Sequence, residues 1–251
     1  MTTNFYDKVA KKFGGYGYGN GRKPIYTKEF LTEDPEAVFK AKILDLADKN
    51  KTALDVGCAD GKFTVSIMPH FKKIYGIDNS KVNLAIALER KIKDGNTIEY
   101  SQQDASKTSF PDALFDVVYS RRGPSFYKEY YRILKSGGYY LEIDIGEKDT
   151  MELKKIFGRG QNYGQWDHSL LAKNTKAFQR LGYKVVFAHE YFANEYYPSY
   201  REFDIFLQQV PIFKDYDPEK DKPLVQKYVK KFTTKKGIQL SRHRVVFVAQ
   251  K

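Results

Sequence analysis

The chain has 251 residues, of which 41% are hydrophobic and 29% are charged. This size suits one large domain, alone or with a small cap, and the composition is typical of a globular protein rather than a disordered one. Apolar runs such as 245–249 are much shorter than the roughly 20 residues of a membrane-spanning helix. No membrane association is therefore expected.

A single cysteine, Cys58, limits the redox and metal chemistry that the chain can support. One cysteine cannot form an internal disulfide, and it excludes a zinc site built from several thiolates. No group of His, Cys, Asp and Glu has the spacing of metal ligands, so no metal site is expected. Residues 1–12 contain no apolar signal core, and this predicts a cytoplasmic protein.

Lysine and arginine number 43 against 31 aspartates and glutamates, which gives a net charge of +12. A basic surface attracts phosphate, so RNA, nucleotides and acidic metabolites gain weight as partners. The lysines are scattered among acidic residues, as in 214–222, and this pattern favours an ordinary solubilising surface.

The first third of the chain begins with a short amphipathic segment at 5–13 and an irregular loop rich in Gly and Tyr at 14–21. Asp34-Pro35 is typical of a helix N-cap followed by proline in the first turn. The helix that follows is expected to continue to about Lys49.

From residue 51 onwards, short apolar segments alternate with amphipathic ones. Strands are expected at 51–56, 73–77, 97–101, 115–119, 139–145, 184–188 and 245–250, and helices at 62–69, 80–93, 125–134 and 170–181. Alternation at this spacing predicts right-handed crossovers and a mostly parallel sheet.

The expected fold class is α/β, with a Rossmann-like, doubly wound, seven-stranded sheet and helices on both faces. The sheet should be mostly parallel with an antiparallel last strand, and a small helical and aromatic cap should be inserted before that strand. In this division, 1–33 form a flexible N-terminal lid, 34–190 and 243–251 the main domain, and 191–242 the cap. The tyrosines of the cap are expected to pack among themselves rather than stack on a planar substrate.

The most informative segment is LDVGCADGKF at 54–63, in which a strand enters a glycine turn and then a helix. In a doubly wound sheet, such a turn binds nucleotide-like ligands through backbone N–H groups. Gly57 lets the chain turn, and Gly61 allows a bulky group to approach the backbone. Ala59 and the spacing differ from G-x-G-x-x-G, which disfavours NAD, and no P-loop pattern is present.

Two acidic residues follow the next two strands. Asp78 comes about twenty residues after the glycine turn, where a carboxylate can accept hydrogen bonds from both ribose hydroxyls. Asp104 follows the third strand and could accept a hydrogen bond from an adenine amine. Either residue alone is more often a cap or turn residue, but the ordered set indicates an adenosyl ligand.

Segments 54–63, 76–78, 104–105, 115–120 and 134–138 resemble the ordered motifs of class I S-adenosylmethionine-dependent methyltransferases of the small-molecule branch. The resemblance covers about 34–145 and the last strand, and it implies S-adenosylmethionine as the cofactor. The implied cofactor-binding residues are Asp55, Gly57, Cys58, Ala59, Gly61, Asp78, Asn79, Asp104, Ala105 and Ser120. Of these, Gly57 and Gly61 would lie under the methionine part, and Asp55 would orient the loop or the ammonium group. Ala59 replaces the usual middle glycine of the family.

Arg121 and Arg122 lie at the carboxyl end of the fourth strand, where an acceptor should meet the methyl group. A guanidinium there could clamp a carboxylate or phosphate of the substrate. A structural ion pair, or a contact with the methionine carboxylate, explains the pair equally well. Adjacent strand residues point apart, so only one of the two is expected to enter the site.

His168, in a polar loop after the fifth strand, is the candidate general base. Glu142 and Asp144 alternate on that strand and are expected either at the mouth of the site or on the surface. Cys58 lies inside the cofactor turn, so covalent methylation of pyrimidine carbons is excluded.

The function expected from the resemblance is methyl transfer by in-line displacement to a small molecule, which can be anionic. Methylation of ribosomal or transfer RNA is the alternative, supported by a pI of about 9.4, although no RNA-binding domain is visible. A non-catalytic relative that only binds the cofactor is the third reading. The Asn/Asp-Pro-Pro-aromatic run of amino-directed base methylases is absent from 119–124, which disfavours an exocyclic adenine amine as the target. A DNA partner is not expected.

Overall fold

The computed structural model describes residues 5–13, 23–94 and 97–251. The expected glycine and tyrosine loop at 14–21 lies outside the described residues. The helices are α1 (Phe5–Phe13), α2 (Pro35–Leu46), α3 (Lys62–Ile67), α4 (Lys81–Asp94), α5 (Tyr127–Ile133), α6 (Met151–Phe157), α7 (Leu170–Arg180), α8 (Tyr200–Gln209) and α9 (Lys222–Phe232). Within these ranges, no helix combines the length and the apolar character that crossing a membrane requires.

The strands found in the same ranges are β1 (Thr27–Phe30), β2 (Thr52–Val56), β3 (Lys73–Asp78), β4 (Ile98–Gln102), β5 (Phe115–Arg121), β6 (Leu134–Ile145), β7 (Lys184–Tyr197), β8 (Thr233–Thr234) and β9 (Gly237–Gln250).

The chain divides into two compact units. The sheet unit comprises Asp34–Asp144, Leu170–Glu190 and Val245–Lys251. The aromatic unit comprises the described part of Met1–Glu33 together with Ile145–Ser169 and Tyr191–Arg244. Each unit has its own apolar core. The expected lid, main domain and cap stay a prediction, and in the present grouping 145–169 belong with 191–244.

The strand order in the sheet unit is β7-β9-β6-β5-β2-β3-β4. Strands β2 to β6 are all parallel to one another. Lys251 exchanges hydrogen bonds of 2.9 Å with Gly137 and Gly138 at the beginning of β6, so β9 runs antiparallel to β6. The expected Rossmann-like α/β class is confirmed. Among the described residues nine strands occur where seven were expected, and the two additional ones, β1 and β8, belong to the aromatic unit.

The strand order reverses between β2 and β5. Successive strands β2, β3 and β4 continue to one side, whereas β5 and β6 continue to the other. Ala53, Leu54 and Val56 of β2 and Val117 to Tyr119 of β5 are fully buried, as in strands covered by helices on both faces. In such sheets, ligands bind at the carboxyl ends of the strands on either side of the reversal.

Three strands extend beyond their expected bounds. Strand β6 begins at Leu134 and continues through Gly137, although the glycine pair was expected to separate a helix from a strand. Strand β7 continues to Tyr197, where 193–196 pair antiparallel with β1, and β9 begins at Gly237. Aromatic residues favour strands, but the pairing partner is distant in sequence, so local patterns underestimate such extensions.

The aromatic residues of 191–242 form the core of the aromatic unit, as expected for a self-packing segment. Tyr197 and Phe203 are fully buried, and their ring centroids lie 5.2 Å apart. Helix α8 carries Phe203 and begins at the cap Ser199, whose hydroxyl accepts a hydrogen bond from the Glu202 N–H at 3.3 Å. Phe157 of α6 stacks on Phe213 at 4.2 Å.

In the sheet unit, Tyr100 of β4 packs against two glycines. It is the register partner of Gly76 on β3, and a Cβ at Gly76 would lie 2.6 Å from the tyrosine ring. A Cβ at Gly61 would overlap with the Tyr100 hydroxyl, which donates a 3.5 Å hydrogen bond to the Gly61 carbonyl. The aromatic ring therefore covers a strand position that has no side chain of its own.

Gly76→Ala should destabilise the protein by about 1–3 kcal/mol, because the added methyl group overlaps the half-buried Tyr100 ring. The penalty should shrink in a Tyr100→Ala background, and the double-mutant cycle measured by urea unfolding gives the coupling free energy. Equal penalties in the two backgrounds would show that the ring is not the obstacle.

Candidate functional site

The turn after β2 is built from residues in the left-handed region. The φ angles are +73° at Gly57, +48° at Ala59 and +71° at Gly61. The N–H groups of Gly57 and Cys58 both donate to the Ile77 carbonyl, at 2.8 and 3.0 Å. The family glycine that Ala59 replaces would adopt this φ without strain, whereas alanine costs about 1–2 kcal/mol there. Ala59 is thus held in a left-handed conformation within the turn.

Asp78 joins the end of β3 to this turn. Its Oδ2 accepts a hydrogen bond from the Ala59 N–H at 3.0 Å, and its Oδ1 accepts one from the Ser80 N–H at 2.8 Å. The carboxylate is half-buried and Asn79 beside it is exposed. Asp78 therefore lies beside the turn, and its contact with a ribose stays a prediction.

Asp55 is a buried carboxyl group within the apolar strand β2. Its Oδ2 accepts a 2.7 Å hydrogen bond from the Thr64 hydroxyl on α3. Burial raises its pKa to about 6, against the opposing effects of Thr64 and the nearby Arg121 charge. The bond ties the beginning of α3 to β2, and the role of Asp55 in orienting the loop stays a prediction. Contact with an ammonium group stays a prediction.

The remaining residues implied for cofactor binding divide into buried and exposed groups. Cys58, Ala105 and Ser120 are buried, and burial raises the pKa of the Cys58 thiol well above its usual value. A thiol held protonated in this way is a poor nucleophile. Asp104 is exposed, and its Oδ1 accepts a 2.8 Å hydrogen bond from the Ser106 N–H in the turn after β4. Its contact with an adenine stays a prediction.

The loop after β5 lies against the turn after β2. The Ser120 hydroxyl donates to the Val56 carbonyl at 3.4 Å, and a Cβ at Gly123 would lie 2.9 Å from the same oxygen. A Cβ at Gly57 would be 3.6 Å from the Gly123 Cα. Gly123 is required here because β2 approaches too closely for a side chain, which the sequence pattern did not reveal.

Arg121 and Arg122 both bind Glu36 in the first turn of α2. Arg121 donates to Glu36 Oε2 from Nε at 3.2 Å and from Nη2 at 2.9 Å, and Arg122 Nη1 donates to Oε1. The expectation that adjacent arginines point apart is wrong. Arg122 has a φ of +57°, which ends the strand and brings both guanidinium groups to one carboxylate. Their roles toward a substrate stay predictions.

Glu36 is ionised despite its partial burial. Burial alone would raise its pKa, but the charges of Arg122 and Arg121 lower the pKa to about 2. The guanidinium carbon of Arg121 also lies 4.4 Å from the centre of the Phe63 ring on α3. Sequence reasoning missed Glu36, because it lies 85 residues before Arg121 in the chain.

His168 lies in the aromatic unit, whereas the other candidate site residues lie in the sheet unit. It is exposed in the loop before α7, and its backbone N–H donates to the Gln165 carbonyl at 3.2 Å. Its role as a general base stays a prediction.

Glu142 is a buried carboxyl group on β6. Its two oxygens accept hydrogen bonds from the hydroxyl groups of Tyr127 at 3.2 Å and Tyr140 at 2.9 Å. Burial raises its pKa to about 8, and the charge of nearby Asp144 adds to this effect. In the sheet register it is paired with Ser120 at the end of β5. The carboxyl group is therefore largely protonated at neutral pH, in the interior and not on the surface.

Glu142→Gln should change how stability depends on pH. A carboxyl group whose pKa rises from 4.5 to about 8 on folding stabilises the folded state fully below pH 4.5, and this stabilisation is lost as pH rises through 8. Glutamine does not titrate, so the variant should gain stability relative to the parent between pH 5 and pH 9. Urea unfolding midpoints at several pH values in this range measure the gap.

Glu99→Gln, which removes an exposed carboxylate from β4 of the same sheet, is the control for loss of a surface charge. A constant gap between Glu142→Gln and the parent across the whole range would contradict the buried, protonated state.

Known proteins resemble this chain in the segment that carries the turn. Residues 54–141 match a family model described as a methyltransferase domain. Phosphoethanolamine N-methyltransferase 3 of Arabidopsis thaliana is 34% identical over an alignment of 126 residues that covers 47% of this chain and 24% of that protein. The 2-methyl-6-phytyl-1,4-hydroquinone methyltransferase of Synechocystis is 31% identical over an alignment of 141 residues that covers 51% of this chain and 44% of that protein.

A solved structure resembles the fold. The crystal structure of a candidate methyltransferase from Bacillus halodurans has a TM-score of 0.63 and 20% identity, covering 84% of this chain and 97% of that one. This chain spans less than half the length of the two curated relatives, at 24% and 44%. With the turn after β2 and the carboxylates that follow it, these findings identify residues 54–141 as similar to a methyltransferase domain.

Proposed function

We propose that this chain transfers a methyl group from S-adenosylmethionine to a small molecule. The observation that carries the proposal is the arrangement at the carboxyl ends of β2, β3 and β4. There the left-handed turn at 57–61 and the carboxylates of Asp78 and Asp104 follow three adjacent parallel strands of a methyltransferase domain. Parallel strands present their carboxyl ends at one edge of a sheet, where nucleotide-like ligands bind.

These residues suit the parts of an adenosyl cofactor. Asp78 would hold the ribose hydroxyls, the exposed Asp104 would accept from the adenine amine, and the turn at 57–61 would lie under the methionine part. When bound, the cofactor supplies an already activated methyl group on a sulfonium. The protein then mainly supplies orientation and a water-poor surrounding, and Asp55 contributes by holding α3 against β2 through Thr64.

A small-molecule acceptor is supported by the two relatives, which are named as methyltransferases of phosphoethanolamine and of a phytyl hydroquinone. The proposal also includes a lid at 1–33, a cap at 191–242 and His168 as the general base. A cytoplasmic location belongs to it as well, supported by the single cysteine.

The acceptor class is tested with S-adenosylmethionine that carries a tritiated methyl group. The protein is incubated with this cofactor and either a metabolite extract or total RNA, and label and S-adenosylhomocysteine are counted in both. We expect label in the small-molecule fraction. Counts that follow RNA would replace the proposal with RNA methylation, and cofactor binding without turnover in either fraction would support a non-catalytic relative.

Asp78→Ala should weaken binding of S-adenosylhomocysteine by about 1–3 kcal/mol, the scale of hydrogen bonds to a charged group. Isothermal titration calorimetry measures the loss. Asp48→Ala is the matched control, since Asp48 is an exposed turn residue whose side chain likewise accepts a backbone N–H, from Asn50 at 2.7 Å. Unchanged affinity in Asp78→Ala would show that the Asp78 carboxylate does not bind the cofactor.

A further inference from the structure

We propose that Arg121 and Arg122 bind a dianionic phosphate group of the methyl acceptor, and that Glu36 is the internal counter-ion which this phosphate displaces. The inference rests on the proposed function for the identity of the ligand as an acceptor. The anion site itself can be tested with phosphate alone.

Two guanidinium groups share the single carboxylate of Glu36. Arg121 uses Nε and Nη2 on Glu36 Oε2, and Arg122 uses Nη1 on Oε1. Each guanidinium has a planar fork that suits two oxygens of a carboxylate or phosphate. One carboxylate has only two oxygens, whereas a phosphate monoester presents three terminal oxygens and can engage both forks.

The ion pairs with Glu36 are accessible to solvent. The side chains of Arg121, Arg122 and Glu36 are 29%, 30% and 31% exposed, so the ion pairs are not part of the core. Phe63 covers one face of the Arg121 guanidinium. Within the described residues, Arg121 Nη1 donates no hydrogen bond to the protein, so that edge of the group has unused donors.

The backbone conformation at Arg122 also supports a binding role. A left-handed φ of +57° is uncommon for arginine, and the Arg122 N–H is held by the Ile143 carbonyl at 2.8 Å. Without this conformation, successive strand residues would point to opposite faces. An uncommon conformation held by its surroundings, and serving to converge two charges, supports a binding role.

The two arginines lie next to the loop that packs on the turn after β2. The arginines directly precede Gly123, whose Cα lies 3.6 Å from a Cβ position at Gly57, and Pro124 Cδ lies 3.8 Å from that position. The anion site is thus part of the loop that packs on the turn after β2. A phosphate held there would anchor an acceptor beside the proposed cofactor site.

Glu36 acts through its charge and not through protonation. The neighbouring arginines keep its carboxylate ionised, so it has to be displaced by a competing anion. The Arg121 charge also acts on Asp55, whose hydrogen bond goes to Thr64. Removing the charge of Glu36 therefore takes away the carboxylate that Arg121 and Arg122 share, and the site should bind phosphate more tightly.

The test is titration with inorganic phosphate at constant ionic strength, followed by ³¹P NMR or calorimetry. We expect the parent to bind phosphate, Arg121→Ala to lose at least about tenfold in affinity, and Glu36→Gln to gain about three- to tenfold. Arg121→Lys keeps the charge but loses the fork, and it should fall between the parent and Arg121→Ala. Unchanged or weaker binding by folded Glu36→Gln would overturn the counter-ion role.

Arg132→Ala and Glu129→Gln are the matched controls. These two residues form an ion pair at 2.6 Å on α5 of the same unit, with side chains 34% and 11% exposed. Their removal should leave phosphate affinity within about twofold. Thermal unfolding shows whether each variant is folded. If Glu36→Gln is not folded, the anion site is tested by the phosphate affinities of the parent, Arg121→Lys and Arg121→Ala, which should fall in that order. A flat series would overturn it.

Two further ligands separate this inference from the proposed function. Phosphoethanolamine should bind with the same dependence on Arg121 as inorganic phosphate, and binding of free phosphate alone would contradict an acceptor site. If phosphate competes with S-adenosylhomocysteine, and Arg121→Ala weakens both, the arginines hold the cofactor instead and the inference fails. If phosphate binds as expected but S-adenosylhomocysteine does not, the anion site stands and the methyltransferase proposal fails.

Discussion

The attachment of the turn after β2 to the end of β3 is the constraint on which the site depends. Two N–H groups of the turn share the Ile77 carbonyl, and a third, from Ala59, donates to the Asp78 carboxylate. A turn with three left-handed residues needs such bonds to hold a single shape. Its position then sets the beginning of α3 and the path of the loop at 122–124, which approaches Gly57.

Three carboxyl groups in the sheet unit have different protonation behaviour because their surroundings differ. Glu36 faces two arginines, and its pKa falls to about 2. Asp55 is buried with one hydroxyl partner, and its pKa rises to about 6. Glu142 is buried between two tyrosines with another carboxylate nearby, and its pKa rises to about 8. Burial raises the pKa of all three, and the opposing charge outweighs burial only at Glu36, which binds two arginines.

Fold class and much of the sheet followed from sequence because the relevant signals are local. Strand β5 contains the buried apolar run Val117 to Tyr119, as expected for a strand buried on both faces, and β2 is recognisable from the glycine turn that follows it. The ordered positions of Gly57, Asp78 and Asp104 at successive strand ends were likewise readable. They depend on spacing along one chain segment, and the topology of a doubly wound sheet converts that spacing into proximity.

The sequence by itself determined the α/β class, the strands around the reversal point and the residues at the turn, since apolar periodicity and glycine positions act within a few residues. Only the tertiary structure decided that Tyr100 occupies the space at Gly61 and Gly76, that Arg121 and Arg122 converge on Glu36, and that Glu142 is buried. Each of these depends on a partner from a distant segment or on one backbone angle. Such features arise from packing, because non-local contacts fix side-chain environments that no local pattern specifies.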